Sequence, residues 1–181
     1  AAVKRQLTDD NNNLIQIKPI DFNQDPNAVV ADLSLRFDQA KLVSKAYGTP
    51  LTLFTKEETK LFSNVLKSAS INDRLIALES VVASGDTIAL QAFEELAGTD
   101  GAFYAAVGAS MVSGNRDVAT RALQGQAIIE AMGKPKLTSD KDMPDADSIS
   151  NAVFRSVFGE TLDAVPAYRA MAENLYAFYA E

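Results

Sequence analysis

Between Asp25 and Gly133, signals that start and stop helices alternate at short, similar intervals, and each stretch between them carries its apolar residues on one side. Segments of that length are marginal as isolated helices in water, so they become stable only by packing their apolar faces on one another. Asp25 followed by Pro26 reads as an N-cap with proline at the first helical position, and Gly48 before Thr49 and Pro50 reads as the stop. Val30, Leu33, Phe37, Ala40, Val43 and Tyr47 give this first helix an apolar face, with Ser34, Asp38, Lys41 and Lys45 opposite. Thr55 with Glu58 forms a capping box in front of Leu61, Phe62, Val65 and Leu66. Ser70 opens a helix striped by Ile71, Leu75, Leu78 and Val82 and stopped at Gly85. Asp86 is then the expected cap for Ala89, Ala92, Phe93 and Leu96, up to Gly98. Thr99 or Asp100 starts another helix, ended by Gly114, and Asn115 caps the stripe Val118, Ala122, Gly125 and Ile129, ended by Gly133.

The flanks are of different material. Asp9, Asp10 and Asn11 to Asn13 favour turns, and Ile15, Ile17 and Ile20 are spaced as in an extended segment, so residues 1–25 are expected to form an extended N-terminal arm. Residues 26–181 are expected to form a single all-helical domain. Within it, residues 134–147 are polar, contain Pro135 and Pro144 and lack apolar periodicity, which predicts a surface loop. A last pair of helices comes after that loop, the first marked by Ile149, Val153, Phe154 and Val157 and the second by Tyr168, Met171, Leu175 and Phe178, with Pro166 near its start. The expected fold class is therefore all-α, an irregular multi-helix bundle or a short α-solenoid of about eight helices. Caps recur while the sequence between them does not, and that favours the bundle.

The 181 residues include no histidine, cysteine or tryptophan. Imidazole-based triads, Cys-His pairs, most zinc sites and any disulfide framework are thereby excluded. Seventeen basic against 24 acidic residues give a net charge of -7, and no basic run is present to hold a phosphate backbone, so nucleic acid is not an expected partner. The start, Ala1, Ala2, Val3, Lys4, Arg5, has neither an initiator methionine nor a signal-peptide core, and a piece of a longer polypeptide is expected. Residues 101–113 are uncharged, with Gly101, Ala105 and Ala109 at the spacing of close helix approach, but a spanning helix needs about 20 apolar residues. A central helix buried on all sides explains that composition, and no membrane span is expected.

Four acidic or aromatic groupings invite a chemical reading. Glu79 with Ser80 resembles the helix-borne Glu-Ser of lysozyme-like lytic transglycosylases, in which a carboxylic acid protonates a glycosidic oxygen. No Gly-Leu-Met-Gln-like segment stands downstream of it, and Glu79 also suits an ordinary helix flank. Asp140, Asp142, Asp145 and Asp147 are spaced like calcium ligands, yet an EF-hand starting at Asp140 would need Gly at Asp145 and Glu at Asn151. The pairs Glu57, Glu58 and Glu94, Glu95 point about 100° apart on a helix and cannot share one proton. The first pair complements a helix dipole, and the second is expected to be solvated. Tyr168, Tyr176, Phe178 and Tyr179 are expected to pack the last helix, with Tyr176 and Tyr179 the most exposed. No catalytic, cofactor-binding or metal-ligating residue is assigned.

Four segments carry a likeness: Ala46, Tyr47 and Gly48 with Pro50; residues 53–58, Leu-Phe-Thr-Lys-Glu-Glu; residues 121–127, Arg-Ala-Leu-Gln-Gly-Gln-Ala; and residues 170–177, Ala-Met-Ala-Glu-Asn-Leu-Tyr-Ala. From Arg36 onward the order of these elements resembles an α-helical region of large structural proteins of tailed phages and prophages, of the internal virion or tail-associated type. The resemblance implies a non-enzymatic assembly role, with other virion proteins or the rest of a longer polypeptide as partners and homo-oligomerisation left open. It implies location in the virion, after assembly in the bacterial cytoplasm, and carries no catalytic residue onto any position here. Rival readings are a peptidoglycan-cleaving domain with Glu79 as acid, and a helical-repeat adaptor that binds a peptide.

Overall fold

A computed structural model of the protein describes residues 17–133 and 165–180. Its regular structure is all-helical: α1 (Pro26–Tyr47), α2 (Lys56–Ser68), α3 (Ile71–Ala83), α4 (Asp86–Ala97), α5 (Ala102–Val112), α6 (Arg116–Met132) and α7 (Val165–Ala180). No strand occurs among the described residues. Residues 1–16 of the expected arm, the expected loop at 134–147 and the expected helix around 149–159 lie outside the described residues.

Local chemistry sets most boundaries. The Asp25 carboxylate accepts from the Asn27 N–H at 2.9 Å, Pro26 is the first helical residue, and Gly48 closes α1 in the left-handed region at φ 61°. Thr55 and Glu58 form both halves of the capping box of α2. Ser70 caps α3 by accepting from the Asp73 N–H at 3.2 Å. Two starts differ from expectation. Gly85, at φ 103°, holds the N-cap position of α4 and Asp86 is the first helical residue, because the sharp reversal after α3 needs a residue without a Cβ. At α5 the cap position falls to Gly101; Thr99 accepts from its N–H at 3.0 Å, while Asp100 turns away to Lys67 and Ser63 of α2.

α5 is buried along nearly its whole length, from Phe103 to Met111, and packs against α3, α4, α6 and α7. α1 packs on α3 and α4, and α2 on the same two helices. Glycine permits two of the close approaches. A Cβ on Gly108 would stand 2.2 Å from the Phe93 ring of α4, and one on Gly125 would stand 1.6 Å from the Asn174 carbonyl oxygen in the backbone of α7. The expected trio Gly101, Ala105 and Ala109 is buried, but the backbone contact lies at Gly125.

The apolar faces are present but rotated. On α1 the buried line is Val29, Leu33, Arg36 and Ala40, with Val30 and Phe37 at its edges. On α3 it is Arg74, Leu78 and Val81, flanked by half-buried Ile71, Leu75 and Val82. Leu61 is 57% exposed while Thr59 and Ser63 are buried, and Val118 is exposed while Ala119 and Leu123 are buried. α4 buries Ala89, Ala92, Phe93 and Leu96 as expected.

Candidate functional site

Of the acids singled out in the sequence, Glu58, Glu79 and Glu95 sit in separate clamps, and the most buried one, Glu58, joins the residues before α1 to α1 and α2. Arg36 reaches from α1 toward the first turn of α2, where the capping box has fixed Glu58, and both side chains are 6% exposed. The guanidinium donates to both carboxylate oxygens at 2.9 and 3.0 Å, to the Leu53 carbonyl at 2.9 Å and to the Lys18 carbonyl. Glu58 accepts in addition from the Thr55 N–H at 2.8 Å and the Ile20 N–H at 3.2 Å. Burial pushes the Glu58 carboxyl upward, but the hydrogen bonds from Arg36, Thr55 and Ile20 and the guanidinium charge outweigh it and hold the group below the ordinary glutamate range. Beside this pair, Phe22 stacks on Phe62 with centroids 4.1 Å apart and meets Phe54 edge-on at 5.7 Å.

Glu95 is a brace and not the solvated flank expected of it. Its two oxygens accept from the Leu53 and Phe54 N–H groups at 2.7 and 2.9 Å, and Gln91 donates to it at 2.9 Å. Two main-chain donors thus offset the unfavourable place of an acid near a helix C-terminus, while Glu94 is exposed. Glu95→Ala is expected to lower unfolding free energy by about 1–3 kcal/mol, since two partly buried N–H groups lose their acceptor. Glu95→Gln, which keeps one acceptor, should lose less; urea titration of both variants checks the order.

A second buried arginine ties α3 to two neighbours. Arg74 donates to the Lys67 and Ala69 carbonyls at the end of α2, each at 2.9 Å, and to Gln126 and Glu130 of α6 at 3.0 and 3.2 Å. Gln126 donates in turn to the Tyr104 hydroxyl at 3.0 Å; burial raises the Tyr104 phenol, with the Gln126 bond opposing. Lys67 and Ser63 hold Asp100 below the ordinary aspartate range through their hydrogen bonds.

Glu79 is partly exposed on α3 and accepts from Arg116 of α6, with Nε at 2.6 Å. The neighbouring Ser80 is buried and donates to the Ile76 carbonyl at 2.8 Å. A glycosidic acid works from a protonated carboxyl in an apolar wall, whereas Glu79 is engaged by a guanidinium. Asp140, Asp142, Asp145 and Asp147 lie outside the described residues. Among the described residues no group of His, Cys, Asp or Glu could hold a metal ion, and no helix is long and apolar enough to cross a membrane.

Among the described residues, Leu61, Ile76, Val118 and Met132 are exposed singly, and further apolar side chains reach the surface along α1 and α7. Residues 41–50, which make up the last two turns of α1 and the turn after it, contain no buried residue; Leu35, at 59% exposure, Leu42 and Tyr47 lie open on this helix, with Lys41 and Lys45 among them. On α7, which contains Tyr168, the buried residues are Met171, Asn174 and Ala177; Tyr176 and Phe178 are half-buried. Tyr179 is exposed as expected and accepts from Arg121 at 2.6 Å. Arg36, Arg74 and Glu95 escape sequence reasoning; Arg36 and Arg74 do fall on apolar spacing, and that is the one signal that points to them. Compared with known protein families, with curated proteins and with solved structures, the chain matches none.

Proposed function

We propose that this chain is a structural module of a phage or prophage virion protein, working by contact with other virion subunits or with the remainder of a longer polypeptide. Its helices are gathered in this reading as an irregular bundle around α5, which packs against α3, α4, α6 and α7. The observation that carries the contact role is the outer side of α1, where Leu35 and Leu42, seven residues apart on one helix face, are open to solvent on a helix that buries nothing after Ala40. Apolar residues in such a place cost solubility unless something covers them, and a helix stripe is a common docking element.

The test is made in a phage that encodes the chain. Leu35→Asp together with Leu42→Asp is expected to leave helicity and thermal midpoint unchanged, as exposed substitutions do, and to reduce infectious particles by about tenfold or more. An undiminished particle yield would overturn the reading. Zymography on purified peptidoglycan is expected to give no cleared band. Clearing that disappears in Glu79→Gln would replace the contact role with glycoside cleavage.

A further inference from the structure

Residues 17–22 are held as a bound peptide is held. They form neither helix nor strand, and alternate side chains, Ile20 and Phe22, are buried while Lys18, Pro19 and Asp21 face solvent. Two buried side chains read the main chain between them: Arg36 takes the Lys18 carbonyl and Glu58 takes the Ile20 N–H. Pro19 has no N–H to leave unmatched. The apolar wall is Phe54 and Phe62 around the Phe22 ring. All of these recognising groups belong to α1, α2 and the residues just before α2.

The connection between this segment and the body is short. It is a turn in which the exposed Asp21 carboxylate accepts from the Asn23 N–H at 2.9 Å and the Asp21 carbonyl from the Gln24 N–H at 3.5 Å, and its tie to the body is the Gln24 side-chain amide, which donates to Asp32 of α1 at 2.7 Å. The Asp25 cap is made entirely to the helix side, so the turn opens without unmaking the start of α1. An empty seat, by contrast, is unfavourable. Arg36 and Glu58 would each lose a main-chain partner in a buried place, and two phenylalanine rings would meet water.

We infer that this seat is an exchange site that accepts residues 17–22 of a second copy of the chain. An identical segment restores every bond and ring contact, and mutual exchange closes as a two-fold dimer in which only the turn and the cost of association differ from the monomer. Protein concentration then sets which form is populated. The inference rests on the contact reading above, and deepens it by naming one partner and the segment exchanged.

The absence of cysteine makes single labels clean. Full-length chains carrying a donor dye on Asn23→Cys, mixed at high concentration with chains carrying an acceptor on Lys60→Cys, should show energy transfer that falls as the mixture is diluted; both positions are exposed. An excess of a peptide of residues 15–25, present during mixing, should abolish the transfer, and the same peptide with Ile20 and Phe22 changed to Ala should not. No transfer, or equal response to the two peptides, overturns the inference. As a second readout, full-length Phe22→Ala, whose own segment competes weakly, should bind the labelled 15–25 peptide about tenfold more tightly than the parent chain. Equal binding by a folded Phe22→Ala also overturns it; if that variant does not fold, the mixing experiment decides. Failure here leaves the particle-yield result of the α1 variant untouched, so the two readings fail separately.

Discussion

Gly125→Ala is expected to destabilise the chain by about 3 kcal/mol, the upper part of the range for overpacking, although alanine is the better helix former. The sign is the informative part. Gly125 lies in the interior of α6, where exchanging glycine for alanine ordinarily stabilises by about 0.5–1 kcal/mol. Here the added methyl would stand 1.6 Å from the Asn174 carbonyl oxygen and 2.6 Å from its carbon, so α7 must move as a body by about 2 Å to restore ordinary contact. A displaced α7 takes Met171 and Asn174 out of the packing against α5 and α6. Urea titration followed by circular dichroism should show a lower midpoint and a shallower slope as α7 loosens ahead of the rest. Gly108→Ala offers the internal comparison: its obstacle is the Phe93 ring, so trimming Phe93 to Leu should recover part of the loss. No side-chain truncation should rescue Gly125→Ala, because its obstacle is main chain. A stabilised Gly125→Ala would mean that α6 and α7 do not approach this closely.

The same contrast between local and tertiary causes decides how much of the fold is legible in the sequence. Asp25 with Pro26, Thr55 with Glu58, Ser70, and Gly48 are recognisable because a cap is made within a few residues of itself, and all four stand where the sequence puts them. Periodicity finds helix faces but weights them by hydropathy. It centres α1 on Val30 and Phe37 and α3 on Leu75 and Val82, whereas the deepest positions on those sides include Arg36 and Arg74. A charged residue on an apolar stripe reads as an edge unless its partner is known, and the partners lie 22 and 56 residues away. Glu95 reads as solvated for the same reason, since its donors are main-chain groups 41 and 42 residues earlier. The glycines Gly108 and Gly125 share that limit. Nothing near them in sequence distinguishes a glycine under an aromatic ring or against a backbone from one that merely interrupts a helix.

Glu58→Gln should lower stability by about 3–5 kcal/mol, the range for breaking a buried pair by removing one partner, because it leaves the Arg36 guanidinium uncompensated at 6% exposure. Replacing both partners with apolar residues is often neutral in buried pairs. It should not be neutral here, since Arg36 and Glu58 also hold the Lys18 and Leu53 carbonyls and the Ile20 and Thr55 N–H groups, four main-chain atoms that methionines cannot serve. The double variant Arg36→Met, Glu58→Met is therefore expected to be less stable than the parent, yet to cost less than the two single changes added together. Acid offers the reversible version of the same experiment. The folded carboxyl is held below its ordinary value of 4.5, so the pair's contribution is complete above that value and is lost as pH falls through the lower folded value. Parent stability should fall on acidification below about pH 4.5, and the Glu58→Gln curve should be flatter there by this one group's share. The loss should centre on the seat of residues 17–22, where Phe22 and Ile20 depend on the pair: amide exchange at Ile20 should rise in acid before that of α5. Parallel acid profiles for parent and Glu58→Gln would show that Glu58 is not the group that keeps this seat closed.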